Sequence, residues 1–213
     1  MDSEQVSIGP QCLAGELDWQ VGSRGIVVFA HGSASSHVSP RNRYVAGVLH
    51  GYGLGTLLFD LLTEHETTDQ EKVFDIALLA SRLLQAIDWL RAQSGLVGLP
   101  VGLFGASTGA AAAFRAAAQY PVRVAAIVSR GGRPDLAADA LTRVQAPSLL
   151  IVGGDDTEVL RLNRQAMRLL TCAKRLEVVP GASHLFEEPG TLDAVSHLAG
   201  VWFRDHLTGG ARS

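Results

Sequence analysis

The chain has 213 residues, 47% of them hydrophobic and 18% charged, with 18 Lys and Arg against 21 Asp and Glu for a formal net charge of −3. That length suffices to bury a sizeable core and lies within the range of one α/β domain. The slightly acidic balance leaves no basic footprint for nucleic acid, and no apolar run approaches the roughly 20 residues of a membrane span.

Two cysteines, Cys12 and Cys172, stand far apart in the chain and make no disulfide framework, which points to the cytoplasm. The start, Met1-Asp2-Ser3-Glu4-Gln5, is acidic and polar and does not read as a signal peptide. No repeat or linker divides the chain. Residues 1–213 are expected to form a single domain, with edge strands within 1–25 and a Gly-rich end, 208–213, that frays.

Taken in chain order, Cys12 to Trp19 is expected as an edge strand or hairpin. Apolar runs then predict strands at Ile26–Ala30, Gly55–Asp60, Val101–Phe104, Val124–Val128, Leu149–Val152 and Leu176–Val179. Helices fall between them: Arg43–His50, a long one over Asp69–Gln93 with apolar residues at near-helical spacing, Ala110–Gln119, Thr157–Leu170 and Thr191–His206. Strands alternating with helices predict a mostly parallel twisted sheet covered on both faces. Between Val128 and Leu149 there is room for a loop and one short helix, but not for a lid or cap domain.

Gly105-Ala106-Ser107-Thr108-Gly109 sits between a predicted strand and a predicted helix. This is the G-x-S-x-G pattern of a nucleophile elbow, in which a strained turn lifts the serine hydroxyl off the sheet. A serine hydrolase then needs an acid and a histidine later in the chain. The strand at 149–152 runs into Asp155-Asp156, and the strand at 176–179 into Gly181-Ala182-Ser183-His184. Each candidate follows the C-terminal end of a predicted strand, and in a parallel sheet those ends share one edge. An early strand ends in His31-Gly32-Ser33-Ala34-Ser35-Ser36, a small-residue loop suited to supply one oxyanion N–H from Ser33, with Thr108 supplying the other. His31 reads as a loop-shaping residue.

Other residues are weighed on the same chemistry. Asp60, at a strand end, is a second carboxylate, expected to be structural. Glu64, His65 and Glu66 lack a fourth ligand at metal-site spacing and read as a solvated loop. Arg41 and Asn42 are expected to fix their loop and cap the next helix. Arg130 and Arg133 could bind a substrate carboxylate, but solvated arginines or an ion pair with Asp135 is the simpler reading. Gly131-Gly132 and Gly153-Gly154 do not fit a phosphate loop.

Together, His31-Gly32-Ser33, Ser39-Pro40-Arg41-Asn42, Asp60-Leu61-Leu62-Thr63, the elbow, Gly153-Gly154-Asp155-Asp156 and Gly181-Ala182-Ser183-His184-Leu185-Phe186 resemble the α/β-hydrolase superfamily, and within it the small dienelactone-hydrolase-like proteins. The resemblance runs from about Ile26 to about His206. Two positions depart from dienelactone hydrolases proper, which use a cysteine nucleophile where this chain has Ser107 and carry a glutamate in the loop that here reads Ser33 to Ser36. The resemblance implies an α/β-hydrolase fold and a carboxylesterase-like activity. It also favours Asp156 as the acid, counted from Gly153. Asp155 stays the alternative, with Asp156 then capping the helix that starts near Thr157. The expected enzyme cleaves a small ester, thioester or lactone through Ser107, Asp156 and His184, with no metal and no cofactor. An acyltransferase using the same triad and a silent hydrolase-fold binding protein are the alternatives. The expected partner is a small-molecule ester, not nucleic acid or membrane.

Overall fold

The computed structural model describes residues 3–33 and 35–207. The expected fraying of 208–213 lies outside the described residues. A hairpin of β1 (Ser3–Ile8) and β2 (Leu13–Asp18) leads into β3 (Ile26–Ala30), α1 (Pro40–His50), β4 (Gly55–Phe59), α2 (Gln70–Val73), α3 (Ile76–Ala92) and β5 (Val101–Ala106). Then come α4 (Thr108–Gln119), β6 (Ala126–Arg130), α5 (Ala138–Leu141), β7 (Ser148–Gly153), α6 (Thr157–Leu169), β8 (Lys174–Val179) and α7 (Thr191–His206).

The strands form one eight-stranded sheet in the order β1-β2-β4-β3-β5-β6-β7-β8. Pairing is antiparallel at β1–β2 and β2–β4 and parallel from β4 through β8. The central strands read as continuous apolar runs because both faces are covered. In β3, Ile26, Val28 and Ala30 join the core under α3, α4, α5 and α6, while Val27 and Phe29 join the core under α1 and α7. This is the α/β-hydrolase fold. Between β6 and β7 the chain makes only a tight turn (Pro134–Ala137) and α5, so among the described residues no cap is inserted there over the edge of the sheet.

The expected helix over 69–93 is two helices. Asp75 leaves helical geometry, at φ −74° and ψ 90°, and its carboxylate accepts the Leu78 N–H at 2.9 Å. Asp69 caps α2 in the same way. Aspartate at these positions satisfies orphan N–H groups of a new helix start, which competes with running the old helix through. The expected capping of α1 comes from Ser39, whose hydroxyl faces the Asn42 N–H, with Pro40 in the first turn.

Helix α4 lies unusually close to the sheet. Ala110, Ala111, Ala112 and Ala113 are all fully buried, between the sheet on one side and α3 and α5 on the other. The turn into it tolerates no side chain at its last position: a Cβ on Gly109 would stand 2.1 Å from the Ala30 carbonyl oxygen. Gly109→Ala should therefore cost about 1–3 kcal/mol by forced overpacking against backbone. Gly47, on the exposed face of α1 with nothing within 4 Å, is the control. Gly47→Ala should stabilise by about 0.5–1 kcal/mol. Urea unfolding of the pair checks the opposite signs.

Candidate active site

Ser107 sits between β5 and α4 at φ 51° and ψ −121°, a left-handed backbone for a residue with a Cβ. Such conformations cost about 1–3 kcal/mol and persist only where the surroundings over-determine them. Here they do. The Ser107 N–H donates to the Arg130 carbonyl at 3.3 Å, and the Ser107 carbonyl accepts from the N–H groups of Ala110 at 3.1 Å and Arg133 at 3.0 Å. The next residue, Thr108, opens α4, so its N–H has no acceptor within the helix.

The acid and histidine loops are locked to each other through backbone. Gly154 N–H donates to the Val179 carbonyl at 2.8 Å, and Asp155 N–H to the Ala182 carbonyl at 3.0 Å. A Cβ on Gly153 would stand 2.2 Å from the Ala182 oxygen, so only glycine admits this approach. The docking turns Asp155 out to solvent and Asp156 inward. Asp156 Oδ2 accepts from His184 Nδ1 at 2.6 Å. Asp156 occupies the N-cap position of α6, yet its side chain makes no capping bond. His184 is 38% exposed and Asp156 14%, so the pair presents its imidazole to solvent and shields its carboxylate. The imidazole lies against Gly131, where a Cβ would be 3.5 Å from Nδ1 and Cε1. Gly131 follows Arg130, the residue that holds the Ser107 N–H.

The histidine loop is closed by residues that sequence reasoning missed. Glu188 accepts the Ser183 N–H at 3.0 Å, a bond that holds its carboxyl below the usual range. Phe186, at φ 55°, is buried in the core under α1 and α7. Arg41 reaches over from α1 to pair with Glu187 at 2.8 Å. Adjacent acidic residues just beyond a turn look like surface charge in a sequence, and no local pattern marks this use.

The loop after β3 is held by two histidines. His31 donates from Nδ1 to the Gly32 carbonyl at 2.9 Å and accepts the Leu61 N–H on Nε2 at 3.1 Å. Both ring nitrogens are used, which fixes a neutral tautomer and leaves the ring to shape the loop. His37 had no pattern in the sequence. Its N–H and its Nδ1 both donate to Asp60, each at 2.8 Å. Asp60 thus fastens this loop to the end of β4 and is not the partner of His184. Ser33 N–H is directed at the Thr108 hydroxyl at 3.0 Å.

Thr63 and Glu66 form a reciprocal cap: Glu66 accepts the Thr63 N–H at 3.0 Å, and Thr63 Oγ1 accepts the Glu66 N–H at 3.3 Å. Glu66 is thus not part of a solvated loop; the T-x-x-E spacing of a capping box is the signal that reading passed over. Glu66 also pairs with buried Arg82 at 2.9 Å. Among the described residues no group of three or more His, Cys, Asp or Glu is placed to hold a metal ion.

The arginine that ends β6 and the one that follows it part company. Arg133 grips Asp135 through two bonds, at 2.9 and 2.8 Å, the ion pair expected from the sequence. Arg130 is not solvated. It is buried with its guanidinium 6.0 Å from the Phe104 ring, and burial, with Arg41 nearby, lowers its pKa to about 10. It stays charged at neutral pH.

The profile of the dienelactone hydrolase family matches residues 59–199. The crystal structure of a dienelactone hydrolase from Anabaena variabilis is similar at 54% identity and a TM-score of 0.91, with 97% of each chain covered. A dienelactone hydrolase-like promiscuous phosphotriesterase from metagenomic libraries shares the fold at 22% identity and a TM-score of 0.78, with 98% of this chain and 99% of that one covered. A Mycobacterium tuberculosis protein carrying the provisional name phosphoribosyl transferase is 60% identical over 205 residues, which take in 96% of this chain and 46% of that protein. The chain thus spans about half the length of the curated relatives it matches.

Burial pulls the pKa of His31 below its ordinary 6.5, outweighing the Gly32 carbonyl and Asp60, which pull it up. In the unfolded chain the same histidine titrates near 6.5. The unfolded state therefore binds a proton first as pH falls. The stability that His31 contributes is full above about 6.5 and is lost below it. His50 adds in the same direction, also through burial. Urea midpoints should drop between pH 7.5 and 5.5, and His31→Gln should reduce that drop. An unchanged drop in the variant would show that His31 takes up its proton freely when folded.

Proposed function

The chain belongs to the dienelactone hydrolase family, and we propose that within it the chain is a serine hydrolase cleaving a small ester, thioester or lactone through an acyl-enzyme. The observation that carries this reading is Ser107, held at φ 51° by bonds on both sides, between β5 and the start of α4. A backbone outlier locked at the carboxyl edge of a parallel sheet is a place where strain serves a mechanism.

On this reading Ser107 Oγ attacks the carbonyl carbon as His184 takes its proton on Nε2. Asp156 keeps the other proton on Nδ1 and stabilises the imidazolium that forms; the 2.6 Å bond supports that role. The oxyanion is received by the Thr108 N–H, aided by the positive end of α4. Ser33 N–H is the second donor. It is lent to the Thr108 hydroxyl in the free protein and passes to the oxyanion when the substrate arrives. His184 then protonates the leaving group and activates water. The exposed imidazole and the uncapped sheet edge give water free approach, which favours hydrolysis over transfer to a second acyl acceptor. None of these steps calls on a cofactor.

Ser107→Ala should abolish ester turnover, by as much as about 10⁶-fold, and abolish labelling by a fluorophosphonate probe. Labelling that persists at another serine, located by mass spectrometry, would overturn the assignment. The two acids give a sharper test. Asp156→Asn should lower kcat by up to about 10⁴-fold because asparagine favours the wrong imidazole tautomer. Asp155→Asn should leave kcat within a few-fold, since that side chain faces solvent. Inactivity of the Asp155 variant alone would exchange the two roles.

A further inference from the structure

Acyl transfer divides a site into two halves, and the strand order says which is which. His184 returns its proton to the leaving-group oxygen, so the leaving group lies toward β7 and β8, whose following loops carry Asp156 and His184. The oxyanion faces Thr108 and Ser33. The remaining substituent on the carbonyl carbon is the acyl chain, and it is left with the side away from His184, toward β3 and β4.

On that side the protein holds a cavity of about 20 Å³ lined by Gly32, Ser33, Leu61, Leu62, Val73 and Leu79. It lies beside the nucleophile: a Cβ on Gly32 would be 3.2 Å from Ser107 Cβ and 3.9 Å from its Oγ. Leu61, Leu62, Val73 and Leu79 give it an apolar side, and His31, Ser33, Ser35 and Thr67 line the rest. Leu61 and Leu62 follow β4 and are buried, Leu79 is buried on α3, and Val73 ends α2. A single water-sized sphere takes roughly 10–15 Å³. The cavity therefore admits one group about the size of a methyl. A longer chain would press on Leu62 and Leu79, which belong to the main core.

Resting on the reading of Ser107 as an acylating nucleophile, we infer that this slot is the acyl subsite and that the protein removes acetyl-sized groups from a larger alcohol or thiol. Ser107 Oγ bonds to the acyl carbon, the bond from that carbon to the leaving oxygen or sulfur breaks, and the leaving atom takes the proton held by His184. Water then releases acetate. Size discrimination falls on the acyl side because that side is walled. The leaving group faces an edge with no cap over it.

The test is a p-nitrophenyl ester series from acetate to hexanoate, run beside acetates of several alcohols. The wild type should lose about 10-fold or more in kcat/KM from acetate to butanoate. Leu62→Ala should raise butanoate relative to acetate by about 10-fold and leave the order of the alcohol series unchanged. Val73→Ala, at a half-buried position, is the second variant should the first fail to fold by circular dichroism. If neither folds, the wild-type profile decides. A flat or rising wild-type profile, or an unmoved acyl ratio in a folded variant, overturns the acyl slot while turnover and fluorophosphonate labelling still support the hydrolase. Absence of both turnover and labelling overturns the two together.

Discussion

A serine that cannot relax governs the carboxyl edge of this sheet. Ser107 is fixed from β6 through its N–H and from the next loop through its carbonyl, while α4 starts directly behind it. The strain of about 1–3 kcal/mol must be offset by packing. The offset is visible in α4, whose alanines are fully buried among the strands and the neighbouring helices. The run Ala110 to Ala113 is thus part of the site's construction.

The second half of the site breaks a local rule in a way that points to function. An aspartate before a helix would ordinarily cap it, worth about 1 kcal/mol. Asp156 stands at that position of α6 and leaves the helix uncapped, turning to His184 instead. Elsewhere in the chain the rule holds: Asp69 and Asp75 both cap the helices they precede. The contrast within one molecule shows that the departure at Asp156 is imposed by the docking of its loop on the histidine loop. Local preferences and global structure disagree at few positions in a natural sequence, and those positions tend to be functional.

Much of this was legible in the sequence where burial is two-sided. Ile26–Ala30 and Thr191–His206 were readable to the residue, because a strand covered on both faces and an amphipathic helix leave clear patterns. The edge strand β8 was read short at its start, since Lys174 and Arg175 are exposed and carry no apolar signal. The break in the helix before Ile76 was missed because its spacing stays near-helical on both sides of Asp75. The elbow, the histidine and the acidic pair were all visible as motifs. Which acid faces His184 was not, because two adjacent aspartates are told apart only by backbone bonds from Gly154 and Asp155 to another loop. Arg130 was misread as solvated for a related reason: arginine is rarely buried without a partner, and only the strand register turns it onto the inner face.

A histidine bonded to an aspartate is not by itself diagnostic here, since the chain has two such pairs. His37 meets Asp60 at 2.8 Å and His184 meets Asp156 at 2.6 Å, each through Nδ1. What separates them is where the backbone of each goes. In the first pair the His37 N–H also binds Asp60, so the carboxylate closes a ring and ties the loop down. The neighbouring His31 has both nitrogens occupied, and together the two histidines hold the loop that carries Ser33. In the second pair the carboxylate holds only the imidazole, and the loop is fastened separately, by Glu188, Phe186 and the docking at Gly153. His184, whose loop is anchored by other groups, is bonded through Nδ1 and is 38% exposed. The histidines beside β3 and β4 thus anchor their loop, and the one beside β8 keeps the exposure that the proposed proton transfer requires.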